Sequence, residues 1–561
     1  MPALLNEQTD DRLLFERQES FAGGEDDYRR STLIDPDQCQ KLVNIIVRDN
    51  YEAWTRPGAD AFTNSAAAAS NPLLTDAGGA LIADDGTPLI ADSSTTTVTV
   101  APVLTLAYFD TPVNKFILAM CNGILKACSG QNVNFQDTTP SYTAVTDSAV
   151  EIVQGVDTCL ISDGTSAMAI LNSTLALTTC TTGATDPPVG ATILCWHTGR
   201  MFAAGFDGGT TGKERDAIWA SNRLAFGNGQ WDGTTRSFRI GAGDGDPVTA
   251  LHSMQGSTLA VFKANSVWLV NTQPVADPTG FQAQNVGDML GFGVGCVGKR
   301  AVASVANDVF FMAQDGVRSL QRMEAAAGQW QLSAPISQPI QQYINRINWS
   351  AQNKIAAISY KEFVLFGVPL DSSSTNNTTL VYNARLARWI GVWLGWTPTV
   401  WVKTRFNSIE QLLFGDTTGY VNYWKDASDT NSSSTYLDNG ANITNQKVWT
   451  RAYQFGEPVS NKAAYNAVLR FTAGNASINI SAWMDLSMKR IFSNTLTPSG
   501  DILGVGRLGP FRLASVTPVK VQKSLRSLSE FNEVYLRIEA DSGWFKLRNI
   551  TLSAFPKAFD G

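Results

Sequence analysis

A strand, a turn built on Gly or Asn, and a second strand recur seven times between residues 103 and 430. The turns fall near residues 123, 164, 208, 265, 316, 374 and 419, so each unit uses on the order of 40–60 residues. In one unit, 116–120 and 124–125 flank Asn122-Gly123. In another, 258–262 and 267–270 flank Ala264-Asn265. In a third, 411–414 and 420–423 flank Thr418-Gly419. A strand pair returning at this interval matches the blades of a β-propeller, each of about 40–50 residues. Seven visible hairpins predict a propeller of six to eight blades over 103–430. An array of β-sandwiches is the ordinary alternative, because hairpins are common.

The composition agrees with an all-β chain. Charged residues are only 17% of the sequence, against about 25% in an average domain, and there are 46 Gly. Many short strands joined by turns need that mixture; helical bundles do not. Helical signal is confined to short stretches at 324–327 and 335–343.

The flanks differ from the repeat. Residues 1–58 read as an N-terminal arm or strap with Gly23-Gly24 in its middle, followed by a hairpin over 42–58. Residues 59–102 read as an inserted low-complexity segment with a short repeat, Leu73-Leu74-Thr75-Asp76, Leu81-Ile82-Ala83-Asp84 and Leu89-Ile90-Ala91-Asp92. Its aspartates lack the density of a calcium-binding roll and read as turn residues. Residues 427–445, rich in Ser, Asn, Asp and Thr, read as a linker or exposed loop. Residues 447–561 alternate with period two in several runs and predict a C-terminal β-sandwich. Asp541-Ser542-Gly543 reads as a tight hairpin between its last two strands.

The chain names no catalytic, cofactor-binding or metal residue, and it is read as a non-enzyme. Its two histidines, His197 and His252, stand at no zinc-ligand spacing, and the seven cysteines include no C-x-x-C pair. Buried free thiols from a reducing cytosol are the expectation. Gly293-Val294-Gly295-Cys296-Val297-Gly298 matches G-x-G-x-x-G, but a β-like stretch follows where a dinucleotide site needs a helix. Those glycines are read as a blade-to-blade crossing. Asp244 and Asp246 read as turn residues. Ser162-Asp163-Gly164-Thr165 is only faintly like the aspartate box of sialidases, with wrong spacing and no following tryptophan. The 15 Trp are expected mainly in cores, although exposed ones would suit glycans or a partner. A formal charge of −7 and no basic stripe argue against sequence-specific nucleic-acid binding. No apolar run reaches the ~18 residues of a membrane span, and the N-terminus has no secretion-signal pattern.

Three stretches together are similar to bacteriophage tail nozzle proteins (tail tubular protein B) and related tail β-propellers. The first is Phe21-Ala22-Gly23-Gly24, Leu33 to Gln38, Asn44 and Thr55-Arg56-Pro57-Gly58. The second is 200–205 with 218–222. The third runs from Gly295-Cys296-Val297-Gly298-Lys299-Arg300 to Asp315-Gly316-Val317. The resemblance covers roughly 20–430, and the insertion at 63–99 departs from it. It implies a structural subunit of a homo-oligomeric, hexameric ring below the portal and adaptor. DNA would pass through the lumen between subunits, and fibres or spikes would dock outside. Such a protein belongs to the virion tail and is assembled in the host cytoplasm. A glycan-binding or glycan-cleaving propeller of a tail hub is the alternative, and a cytosolic interaction scaffold a third reading.

Overall fold

The computed structural model describes residues 13–557 apart from 64–100, 145–149, 273–284, 328–332, 427–431, 457–460, 485–488, 497–518, 525–529 and positions 139, 211, 307, 407 and 475. The aspartate-bearing repeat within 59–102 lies outside the described residues.

The chain is an all-β protein built on a propeller. Among the described residues there are seven blades, within the expected six to eight. Blade 1 runs from Val103–Asp110 at the channel to Gln136–Asp137 at the rim. Blades 2, 3 and 4 start from the inner strands Glu151–Gly155, Ile193–His197 and Val248–Ser253. Blade 5 has three strands, Val302–Val305, Asp308–Ala313 and Gly316–Ser319, and the helix Leu320–Ala327 follows directly. Blade 6 spans Ala356–Tyr360 to Arg388–Leu394. Each of the seven turns read from the sequence joins the second and third strands of a blade. Second strands are packed on both faces, which is why they read as unbroken apolar runs rather than alternating ones; Phe363–Val368 is buried throughout.

Blade 7 closes the ring with borrowed chain. Val400–Phe406, Ile409–Gly415 and Val421–Trp424 form three of its strands. The fourth is Ala59–Ala61, which pairs antiparallel with Val421–Trp424. The reading of 59–102 as one insertion is corrected at its start: these residues are the rim strand of the last blade. Phe363, Trp393, Trp396, Phe414 and Trp424 pack ring against ring behind the seam between blades 6 and 7. Much of the tryptophan content is therefore core, as the composition suggested.

Apart from the short pair Leu437–Asp438 and Ala441–Asn442, the remaining strands form two sheets around a shared core. One sheet holds Leu14–Gln18, Ile45–Val47, Ala53–Thr55, Lys462–Gly474, Trp544–Pro556 and Val519–Ser524. The other continues blade 6: Arg388–Leu394 is followed by Gln38–Val43, then Gln446–Thr450, Val534–Ala540, Ile478–Met484 and Lys489–Leu496. With Gly24–Glu25, which pairs parallel with Gln38–Val43, ten strands belong to one sheet that runs from the propeller into the sandwich.

Two expectations change here. The stretch 42–47 is not one strand, because Asn44 takes a positive φ of 54° and sends Gln38–Val43 and Ile45–Val47 into different sheets. Only Ile45–Val47 and Ala53–Thr55 make the expected hairpin. Asp541-Ser542-Gly543 is not a hairpin within a sheet. Val534–Ala540 and Trp544–Pro556 stand in opposite sheets. Their apolar faces, including Leu536, Ile538, Phe545 and Leu547, meet across the core. Period-two alternation says that a strand has one buried face; it does not say whether two such strands lie side by side or face to face.

Candidate functional site

Two places concentrate polar side chains: the joint between propeller and sandwich, and the propeller channel.

The joint is built on Thr55-Arg56-Pro57-Gly58. Thr55 Oγ1 donates to Gln446 Oε1 at 2.6 Å and accepts from the Phe545 amide at 3.0 Å. Arg56 is wholly buried. Its guanidinium grips both oxygens of Asp438 at 3.0 and 2.6 Å, donates to Asn44 Oδ1 and the Leu394 carbonyl, and lies 4.5 Å from the centre of the Trp396 ring. A bidentate pair of this kind is both strong and directional. Arg56 and further hydrogen bonds hold the Asp438 carboxyl below the usual range, against burial, which alone would raise it. At Gly58 an added Cβ would sit 1.9 Å from the Leu437 carbonyl oxygen, so only glycine passes there. Tyr436 is buried and stacks on Trp544 with ring centres 4.9 Å apart. Most described residues of 427–445 are exposed, as the composition suggested, and Tyr436, Asp438 and Ile443 anchor the stretch to the joint.

The N-terminal strap locks onto the same region. Gly24, at φ 71°, lets the backbone touch blade 6; a Cβ there would meet the Trp389 carbonyl oxygen at 2.0 Å. The Glu25 carboxylate side chain accepts from the Leu42 amide at 2.7 Å, and burial raises this carboxyl to about 8.

In the channel, Lys299 and Arg300 project from the segment entering the inner strand of blade 5. Lys299 pairs with Glu151 of blade 2 at 2.7 Å and donates to the Thr192 carbonyl of blade 3. Arg300 donates to the Leu104 carbonyl, to Thr105 Oγ1 at 2.7 Å and to the Val150 carbonyl at 3.1 Å. These two side chains cross between blades that are far apart in sequence. On one side of Arg300 is a cavity of about 270 Å³ bordered by Leu104, Asn353, Lys354, Asn376, Thr399 and Thr417. On the other is one of about 160 Å³ reached by Glu151, Val302, Ala356 and Trp401. Sequence reasoning included Arg300 in a resemblance but gave it no role, and it passed over Lys354 and Asn376. The only local signal was a Lys-Arg pair immediately before an inner strand.

The residues singled out earlier fall elsewhere. His197 Nδ1 meets Ser253 Oγ at 2.8 Å, and His252 Nε2 meets Ser304 Oγ at 2.6 Å. Each pair stitches neighbouring inner strands together. Burial lowers both imidazoles, that of His252 to about 4. Asp163 Oδ1 accepts from the Thr165 and Ser166 amides. Asp244 pairs with Lys263 at 2.6 Å, and Asp246 accepts from the Asn265 amide and Ser266 Oγ. All three aspartates serve turns. Gly293, Gly295 and Gly298 lie on the crossing from blade 4 to blade 5, as read. The seven cysteines are buried and form no disulfide. Burial pushes Cys39, Cys159, Cys195 and Cys296 to about 12, far from the thiolate that reactivity needs. No group of three or more metal-ligating side chains was found among the described residues.

No protein-family model matches the chain, and no curated protein matches it significantly. Over 58% of its length it is similar to many solved structures, three of which follow. One is the computationally designed Ika8 protein, at 13% identity over 96% of that chain and a TM-score of 0.34. A second is BBS1N in complex with ARL6DN, at 12% identity over 91% and 0.33. The third is the AfRom2 CNH domain, at 11% over 95% and 0.33. The fold assignment rests on the strand pairing above.

Proposed function

We propose that this chain is a structural subunit of a bacteriophage tail, one copy of a homo-oligomeric ring that continues the DNA channel below the portal and adaptor. The observation that supports this reading best is the ten-stranded sheet joining blade 6 to the sandwich through the strand Gln38–Val43. Propeller and sandwich share backbone hydrogen bonds there, with a buried Arg56 paired to a half-buried Asp438 beside the seam. A part that transmits force between neighbours needs such a joint; two domains on a flexible linker would bend. The motif that anchors the joint, Thr55-Arg56-Pro57-Gly58, is also among those that carry the likeness to tail nozzle proteins.

In this reading the work is assembly, sealing of the channel and docking of fibres or spikes, and it needs no catalytic step. DNA would pass between subunits, because Lys299 and Arg300 cross the propeller's own channel. The net acidic chain suits a lumen that does not hold phosphate, provided acidic groups face inward. A basic lumen in the assembled ring would sink that part of the reading.

The test is the copy number of this chain against the portal protein in purified virions, by quantitative mass spectrometry. A closed hexamer on a twelvefold portal gives a ratio of about one to two. Absence from the particles would overturn the proposal, and a threefold count would move the chain to a fibre or spike.

A further inference from the structure

Two neighbouring tips on one face of the propeller carry large apolar side chains into solvent. In blades 2 and 3 the inner strand turns into the second strand at Val156-Asp157 and at Thr198-Gly199. Val156 is 51% exposed. Leu224 sits on the second turn, where its amide donates to the Gly199 carbonyl at 2.6 Å, and it is 62% exposed. The ground between the tips is apolar as well. A Cβ at Gly155 would lie 2.7 Å from the rings of Trp196 and Phe226. Those rings meet edge to face with centres 5.8 Å apart, and Trp196 is half-exposed. A single apolar residue on a surface needs no explanation; two at adjoining tips, flanking an aromatic pair, make a patch.

Both residues also hold conformations that do not suit them. Val156 has a φ of 53° and Leu224 a φ of 58°. The left-handed region crowds any branched side chain, one branched at Cβ most of all. At the corresponding turns of blades 5, 6 and 7 the same region is occupied by Ala306, Lys361 and Ser408, which are small or polar. Glycine or asparagine would relax either tip. Strain kept at an exposed apolar position points to a contact outside the single chain.

Beside each apolar residue stands a charge: Asp157 next to Val156, and Arg223 next to Leu224. Both are exposed, and neither side chain forms an ion pair or hydrogen bond among the described residues. One tip is therefore apolar and acidic, the other apolar and basic. A partner that fits both must present an apolar-basic element to the first and an apolar-acidic element to the second. A second copy related by a two-fold axis does so by construction. We infer that two copies of this chain dock through the tips of blades 2 and 3, with Val156 and Asp157 of each facing Leu224 and Arg223 of the other. The contact goes beyond the ring proposed above, because a ring joins unlike surfaces head to tail and this contact joins one surface to itself.

The experiment is sedimentation equilibrium of the full chain over a concentration series. The contact is smaller than a standard interface, so a dimer dissociating at roughly 10 μM is expected. Val156→Asn and Leu224→Asp should each weaken it by about tenfold per contact, and so by about a hundredfold in all, because each change enters the contact twice. Val156→Asn should melt no lower than the unaltered chain, since asparagine tolerates a positive φ; lost association is then not lost folding. Asp157→Arg alone and Arg223→Asp alone should each be monomeric, because like charges face one another. An equimolar mixture of the two should dimerise, because every facing pair is then opposite in sign. A chain that stays monomeric at about 100 μM would overturn the inference. So would a dimer untouched by Leu224→Asp, or a mixture that stays monomeric. A higher oligomer that persists in Leu224→Asp would overturn this contact and leave the ring standing, which the copy number in virions tests separately.

Discussion

The propeller and the joint are made of the same strands and obey opposite rules of assembly. Blades 1 to 6 each fold from one continuous stretch, and their pairings link residues that are near in sequence. The joint and sandwich pair residues from opposite ends of the chain: Leu14 with Ala554, Trp54 with Lys546, Lys41 with Trp449. Blade 7 belongs to both worlds, with three local strands and one from residues 59–61. The difference teaches where cooperativity resides. A blade can loosen while its neighbours persist; loss of a joint strand removes support from both halves together.

The harshest way to break this contrast is to delete residues 1–61. That removes strands from both sandwich sheets and the rim of blade 7, and it should abolish cooperative folding, seen as loss of a single melting transition. Arg56→Ala comes next. It strips the buried Asn44 and the half-buried Asp438 of their shared partner and should cost about 3 kcal/mol. Hydrogen exchange should then accelerate on both sides of the joint, near 394–396 and 436–450. Trp231→Ala offers the matching blade experiment. Trp231 is fully buried in blade 3 and donates from Nε1 to the Phe226 carbonyl. Its loss should cost a similar amount, about 3–5 kcal/mol, with faster exchange confined to blades 2 and 3. Equal spread in the two variants would refute the contrast.

A milder probe uses pH. The Glu25 carboxyl in the strap lies at about 8, above its ordinary 4.5, chiefly because burial disfavours the charge. The protonated form therefore favours the fold. That contribution is complete below about 4.5 and is lost as pH rises through about 8. Melting temperature should fall over this window in the unaltered protein and flatten in Glu25→Gln. An unchanged slope would clear Glu25 of the effect. The smallest effect is expected at the exposed Arg346–Asp371 pair, 2.9 Å apart. Asp371→Ala should leave the melting temperature almost unchanged.

The same contrast explains what could be read in advance. All seven turns between second and third strands were visible, because a buried strand, a Gly or Asn turn and another buried strand form a local pattern. The inner strands were harder to see. Val302–Val305 has only one fully buried residue, Ala303, so no apolar run marks it. The rim strand Ala59–Ala61 is three residues long and finds its partner more than 350 positions away. No periodicity contains that information. The arrangement of the last two strands failed for a related reason, since alternation does not choose between pairing within a sheet and facing across a core. At the channel, Arg300 and Asn376 are ordinary residues in sequence. Only the circular closure of the blades brings blades 1, 5 and 6 to one cavity.

The antiparallel pairing of Leu14–Gln18 with Trp544–Pro556 also sets a clock on biosynthesis. A ribosome adding about 5–20 residues per second needs roughly half a minute to two minutes to make the partner of the first strand. Blades 1 to 6 emerge with their own partners at hand, whereas the N-terminal strands wait with open hydrogen-bonding edges until Trp544–Pro556 has been made. Aggregation during that interval is the hazard such edges carry. A nascent chain stalled near residue 430 should therefore hold formed blades and a protease-sensitive N-terminal strap, and only emergence of Trp544–Pro556 should protect it.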